Sequence, residues 1–271
     1  MKTTVLGLGI IGEAWARNLH EDGLLHAAWN RTPKDIPKFV SDPAEAVRGA
    51  ELIILVVADP PAVEQVLDRI EPAFHKGQIL AQSSTISAAW TRKFAARVEK
   101  TGARFLEAPF TGSKPAAAAR KNVFYTGGDP ELREQARPVL ERLGITLHIG
   151  PLGSASSLKL AMNMNIAMLM QSLEESLRFA RAEGVSDQSF FDALRINTAH
   201  SNFCDVKEPK LRGGDYSPQF SLKHMNKDLR LALESAGSLS MPQLRKLKEQ
   251  YDEGMRRGLG EQDFSVLMRL L

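Results

Sequence analysis

Two hydrophobic periods divide the chain. Over the first 150 residues, short apolar runs alternate with stretches in which apolar residues recur every three or four positions. The short runs, at 3–6, 26–29, 52–57 (LIILVV), 79–82, 104–106, 123–125 and 145–149, predict strands; the intervening 13–19, 62–70, 88–100 and 130–143 predict helices. A run such as LIILVV, apolar at every position, suits a strand covered on both faces of a parallel sheet. From residue 154 onward no further strand is predicted: 158–170 is nearly all apolar, 174–183 is amphipathic, and helical patterns recur near 187–195, 226–236 and 243–257. The pattern predicts an α/β domain over residues 1–152, with a doubly wound, mostly parallel sheet and an antiparallel or mixed far edge. An all-α domain over 153–271 follows it.

Chemistry enters first at the end of the first strand. Gly7-Leu8-Gly9-Ile10-Ile11-Gly12 is a GxGxxG between a strand and a helix, the context in which Gly7 serves the tight turn, Gly9 the approach of a pyrophosphate and Gly12 helix–strand packing. The second strand ends in Asn30-Arg31-Thr32, where an NAD protein carries an acid for the ribose 2′-hydroxyl. A planar, permanently charged Arg31 with Thr32 beside it suits a 2′-phosphate, which points to NADP(H). Ligands of such sheets lie beyond the strand carboxyl ends, so the loops at Ala58-Asp59, 83–85 and 109–114 are expected to border the cofactor. The segment 107–114 (EAPFTGSK) is too polar and too rich in Gly and Pro for core and reads as a loop. Residues 116–121 read as a solvated helix or turn.

The segment 150–163 (GPLGSASSLKLAMN) joins the two patterns. Lys159 and Asn163 are four residues apart in a helix that is apolar over its first half, and polar groups placed there are costly to bury without partners. Such a helix is expected to be covered on most sides, against another subunit in part, with Met162, Met164, Met168 and Met170 as packing. The basic pattern of Lys223, His224 and Lys227 reads, taken alone, as an ordinary helix face.

Composition narrows the function without choosing it. With 43% hydrophobic and 25% charged residues in 271, the chain is ordinary globular material. A formal charge of +3 without a basic stripe argues against nucleic acid and allows a small anion. No run of about 18 uncharged apolar residues offers a membrane span. Met1-Lys2 lead directly into the first strand, leaving no room for a signal peptide, so a cytoplasmic location is expected. The single Cys204 excludes an internal disulfide and reads as a structural thiol, and no His/Cys cluster suggests a metal.

The ordered motifs, namely GLGIIGEAWARNL, Asn30-Arg31-Thr32, Ser84-Thr85, residues 108–113, residues 150–163 and Lys227-Asp228-Leu229, resemble those of the β-hydroxyacid dehydrogenase family. The stretches EAPFTGSK and FSLKHMNKDLRLAL and the closing Gln262-Asp263-Phe264-Ser265 look most like its glyoxylate and succinic semialdehyde reductase branch. The resemblance implies a Rossmann domain over residues 1–152, an all-helical domain over 153–271, a long helix joining them, and an NADPH-dependent reductase of short aldehyde or keto acids that yields hydroxy acids. It implies Lys159 as catalytic acid/base and Asn163 as an orienting group. Thr111, Gly112 and Ser113 would hold the substrate carboxylate, and Val57, Ala58 and Thr85 would line the nicotinamide. Lys227 would reach cofactor and substrate, and a homodimer or homotetramer would form through the helical domain. Three other readings share the architecture: an imine reductase, a family that generally carries Asp or Tyr at position 159; an NAD-linked 3-hydroxyisobutyrate-type dehydrogenase; and a non-catalytic NADPH-binding protein. Departures from the family are Ile11 for Met, Thr111 for Ser, Ala155 for Gly, Arg120 for Gly, and a segment after Arg31 too short for a full helix.

Overall fold

The computed structural model describes residues 1–270. Contacts divide the chain into two compact units, Met1–Leu160 and Ala161–Leu271.

The first unit holds strands β1 (Thr3–Leu6), β2 (Leu25–Trp29), β3 (Leu52–Leu55), β4 (Ile79–Gln82), β5 (Arg104–Glu107), β6 (Phe110–Thr111), β7 (Asn122–Gly127) and β8 (Gly144–Gly150). Between them run helices α1 (Ile10–Glu21), α2 (Pro43–Val47), α3 (Pro60–Ile70), α4 (Ala88–Glu99), α5 (Lys114–Ala118) and α6 (Pro130–Leu140). The sheet order is β2-β1-β3-β4-β5-β7-β6, with β8 beside β7. The first five strands are parallel, whereas β7 runs antiparallel to β5 and β6 and parallel to β8. This Rossmann-like sheet is mostly parallel with a mixed edge, as the alternation predicts.

Strand periodicity shows why continuous apolar runs were needed. In β3, Leu52 and Ile54 pack into one buried layer with Trp15 and Leu19 of α1 and Val139 and Leu140 of α6. Ile53 and Leu55 point to the opposite layer, with Val63, Leu67 and Ile70 of α3 and Phe94 and Val98 of α4. Both faces are thus covered, and each such side chain contributes roughly 1.5–3 kcal/mol of transfer free energy. Asp59, Ser87 and Asp129 accept backbone N–H bonds at the starts of α3, α4 and α6.

Two local expectations change. Residues 107–114, expected as a loop, supply β6, because antiparallel pairing of Phe110 with Phe124 and of Thr111 with Val123 satisfies the backbone despite the nearby Pro and Gly. Residues 116–121, expected as solvated, lie partly in α5, whose Ala117 is fully buried beneath α1. Arg120 adopts φ 59°, the left-handed region that favours Gly, and its guanidinium is held by Asp22 at 2.7 Å, Glu21 at 3.1 Å and the Asn18 carbonyl at 3.1 Å. Those bonds offset the backbone strain of the Gly-to-Arg departure.

Helix α7 (Ser154–Ala182) is one element of 29 residues. The second unit adds α8 (Asp187–Arg195), α9 (Asn202–Gly213), α10 (Leu222–Ala236), α11 (Pro242–Arg256) and a short 3-10 helix, Phe264–Arg269. Its core joins Ala167, Met170, Leu173 and Leu177 of α7 to Leu229, Leu244, Leu247, Tyr251 and Phe264. Helix α9 escaped the sequence pattern because Pro209 interrupts it and because Lys207, Glu208 and Lys210 occupy buried positions that an amphipathic reading assigns to apolar residues. No helix among the described residues is long and apolar enough to cross a membrane.

Candidate active site

The glycine loop is shaped by different constraints at each glycine. Gly7 has φ 99°, and a Cβ there would lie 2.1 Å from the Val56 carbonyl; a Cβ on Gly12 would lie 1.9 Å from the Gly7 carbonyl. Both glycines are required by the protein's own backbone. A Cβ on Gly9 would meet nothing within 4 Å. That open side, at the start of α1 where N–H groups and positive dipole point outward, is suited to the close approach of a pyrophosphate. Exposed Ile10 and half-buried Ile11 flank it.

Asn30 does structural work at the end of β2. Its Oδ1 accepts the Leu8 amide at 3.0 Å and its Nδ2 donates to the Thr32 carbonyl at 2.8 Å, tying the glycine loop to the second strand. Arg31 and Thr32 are exposed beside it. At the end of β3, the Val57 amide donates to Ser84 Oγ at 2.8 Å, and the Ser84 amide in turn donates to the Gln82 side chain. Val57 and Thr85 are partly buried and Ala58 is exposed, so the sheet's carboxyl edge carries these three in adjacent loops.

Further along that edge, Thr111 and Ser113 are half-buried and Gly112 is exposed with φ 133°. Lys159, on the second turn of α7, is only 8% exposed, and its Nζ lies 5.9 Å from the centre of the Phe110 ring, immediately before Thr111. The first unit thus brings a buried ammonium to the segment expected to hold a carboxylate.

The start of α7 is clamped by a residue that the sequence did not single out. Glu107, fully buried at the end of β5, accepts the Gly153 amide at 2.8 Å and the Ser156 amide at 2.6 Å. Ser156 also shares a 2.7 Å hydroxyl bond with Thr91 of α4. Orphan donors at the helix start are satisfied by a carboxylate that the helix dipole also favours.

In the second unit, Asn163 of α7 is 3% exposed and its Nδ2 donates to Asp228 Oδ2 at 2.6 Å. Lys227 Nζ lies 2.8 Å from the other oxygen of Asp228. Asp228 thereby anchors Asn163 by a hydrogen bond and places a carboxylate oxygen beside Lys227, a role visible in sequence only as its place next to Lys227. His224, one turn earlier on α10, has its pKa lowered by burial and by the charges of Lys227 and Lys223, and its Nδ1 lies 2.9 Å from Ser221 Oγ.

Comparison with known proteins gives this geometry its class. Residues 2–150 match the NAD binding domain of 6-phosphogluconate dehydrogenase, and residues 153–271 match the NAD-binding family of NADP-dependent 3-hydroxyisobutyrate dehydrogenase. Glyoxylate/succinic semialdehyde reductase 1 of Arabidopsis thaliana is 30% identical over 99% of this chain and 97% of its own. Among solved structures, a Mycobacterium tuberculosis 3-hydroxyisobutyrate dehydrogenase with L-serine superposes with a TM-score of 0.89 at 26% identity, covering 100% of this chain and 99% of that one. An imine reductase from Myxococcus stipitatus in complex with NADP+ has a TM-score of 0.64 at 22% identity, covering 99% of each chain, and shares the fold. The protein is therefore an NAD(P)-dependent oxidoreductase. Within that class, the chain belongs to the β-hydroxyacid dehydrogenase family.

Proposed function

We propose that the protein is an NADPH-dependent reductase of short aldehyde or keto acids, with glyoxylate and succinic semialdehyde as the leading substrates, yielding hydroxy acids. The observation that carries this reading is Lys159: a lysine 8% exposed, beside the segment that ends in Thr111, Gly112 and Ser113. The names of the Arabidopsis relatives support the substrate class.

NADPH, when bound, supplies the hydride to the carbonyl carbon. The chain's own task is the charge that develops on the oxygen. As an ammonium, Lys159 would neutralise that oxygen and deliver the proton; in the reverse direction its amine would act as base. The Thr111 hydroxyl and the Gly112 and Ser113 segment would hold the substrate carboxylate. Asn163, anchored by Asp228, would orient the substrate, and Lys227 would reach both ligands. Arg31 and Thr32, exposed at the end of β2, favour the 2′-phosphate of NADPH over the hydroxyl of NADH. The apolar residues Met162, Leu169 and Phe179, 37%, 37% and 69% exposed on α7, support association of the helical unit into a homodimer or homotetramer.

The test is NADPH and NADH consumption against ω-aldehyde acids, 2-oxo acids and cyclic imines. Lys159→Ala is expected to lower turnover of the acids by about 10²–10⁴ while NADPH affinity, read by fluorescence titration, stays nearly intact. Unchanged turnover would remove Lys159 from the mechanism. Cyclic imines as the preferred substrates would replace the reading with imine reduction, and binding of NADPH without turnover would leave a non-catalytic protein.

A further inference from the structure

Behind the Thr111–Ser113 segment stands a polar pair to which no role has been given. Asn122, the first residue of β7, is fully buried. Its Oδ1 accepts the indole N–H of Trp15 at 2.8 Å, and its Nδ2 donates to the Thr111 carbonyl at 3.3 Å. The orientation of the amide is set by its partners, since an indole nitrogen only donates and a carbonyl only accepts. A Cβ on Gly112 would lie 2.2 Å from Asn122 Nδ2, so the loop is moulded against this amide.

The pair also ties together three parts of the site. Trp15, fully buried on α1, belongs to the helix that the glycine loop opens. Its ring meets Phe110 edge-on at 4.7 Å and Phe124 at 5.1 Å. Phe110 in turn lies under the Lys159 ammonium and immediately before Thr111. An apolar side chain at position 122 would avoid burying an amide but would leave the Trp15 indole N–H and the Thr111 carbonyl without this partner. What the amide adds is direction: it fixes where the Thr111 carbonyl, and so the backbone through Gly112, must lie.

We infer that Asn122 is a positioning residue for carboxylate recognition. It holds Thr111, Gly112 and Ser113 in the conformation that receives the substrate's carboxylate, with Trp15 as its anchor. This rests on the function proposed above. Loss of the amide loosens the carboxylate's seat while leaving the proton donor and hydride donor in place, so the effect falls on KM rather than kcat.

The experiment compares succinic semialdehyde with butanal, an aldehyde of equal chain length that lacks the carboxylate, in the wild type and in Asn122→Leu and Trp15→Phe. Asn122→Leu is expected to raise KM for succinic semialdehyde about tenfold, with kcat within about threefold, and to leave the kinetics of butanal unchanged. Trp15→Phe, which removes the indole N–H and part of the ring packed against Phe110 and Phe124 but keeps the Asn122 amide, is expected to move the same KM by a smaller factor. A purely structural role would change both substrates alike, and that result, or no change in either, would overturn the inference. If the wild type reduces neither aldehyde, the proposed function has failed, and the inference is decided separately by the Trp15 indole 15N resonance during a succinate titration. A shift in the wild type that is lost in Asn122→Leu supports it, and no shift overturns it.

Discussion

Each unit buries a glutamate, and the two differ in what surrounds their oxygens. Glu107 has no solvent exposure, but its two oxygens accept the first-turn amides of α7, so the chain supplies what water would have supplied. Glu174 of α7 is 1% exposed, and neither of its oxygens has a partner in hydrogen-bonding geometry. Burial drives its pKa well above the usual range; the nearby Met268 amide and Lys207 charge offset part of this, and Asp263 and Glu175 add to it. Burial raises the Glu174 carboxyl where no donor in good geometry opposes it, whereas at Glu107 two amides are aimed at the oxygens. The same contrast runs through the units. In the sheet unit, several buried polar side chains are satisfied by backbone, as Gln78 is by donating to the Val47 and Ala50 carbonyls and Thr4 by donating to the Ala46 carbonyl. The helical unit instead concentrates charge, with Lys207, Glu208, Lys210, Asp228 and Asp263 all buried.

The contrast breaks most sharply at Asp263, a helical-unit carboxylate treated as generously as Glu107. It lies 2.6 Å from Lys207 Nζ and accepts the Gln219, Phe220 and Ser265 amides and the Ser265 hydroxyl at 2.8–3.2 Å. Burial pushes its carboxyl up, and the Lys207 ammonium and these donors more than reverse the effect. Asp263→Leu strands a lysine that is 3% exposed, so a loss of about 3–5 kcal/mol is expected in urea unfolding. Lys207→Met combined with Asp263→Leu should recover a large share of it, because the uncompensated charge is then gone. A double variant no better than the single one would show that the backbone amides, rather than the ion pair, hold this region.

Glu107→Leu comes next in size. It leaves the Gly153 and Ser156 amides buried without an acceptor, at roughly 1–3 kcal/mol for each. A fall in Tm of several degrees is expected, with Glu107→Gln between wild type and Leu because the amide retains one acceptor oxygen. Since Lys159 stands one turn beyond Ser156, kcat for the acids should fall by more than the change in KM. Intact stability in Glu107→Leu would mean that water reaches the start of α7.

What the sequence disclosed follows the range of the interactions concerned. The strands at 52–57 and 79–82, the glycine loop and the helical second half were legible because period and turn chemistry are local. Gly9 stood out for the same reason, and a Cβ there would meet nothing within 4 Å. Lys159 stood out because a cation in an apolar helix is itself a local contradiction. Glu107, Asn122 and Asp228 did not, because their partners lie 46–49, 107 and 65 residues away in sequence. Arg120 reads as a misplaced bulky residue until Asp22 and Glu21, about 100 positions earlier, are seen to receive it. The strand β6 and helix α9 were hidden because Pro, Gly and buried charges masked the period.

The smallest effect expected is the one that bears most directly on the two glutamates. Since the folded-state pKa of Glu174 lies above the unfolded value near 4.5, the folded form keeps its proton at pH values where the unfolded chain has released it. The stability contribution is complete below that unfolded value and is lost progressively as pH rises toward the folded pKa. Glu174→Gln carries no ionisable proton and so escapes this loss, while keeping nearly the same shape. Its Tm should match the wild type near pH 4.5 and exceed it by an increasing margin toward pH 8. Tyr251, whose buried hydroxyl also lacks a partner and whose pKa is raised well above normal by burial, by Glu174 and by Asp263, stays neutral across that range and does not blur the comparison. A margin that does not grow with pH would mean that Glu174 is ionised in the fold, and that the helical unit supplies it with donors after all, as the sheet unit does for Glu107.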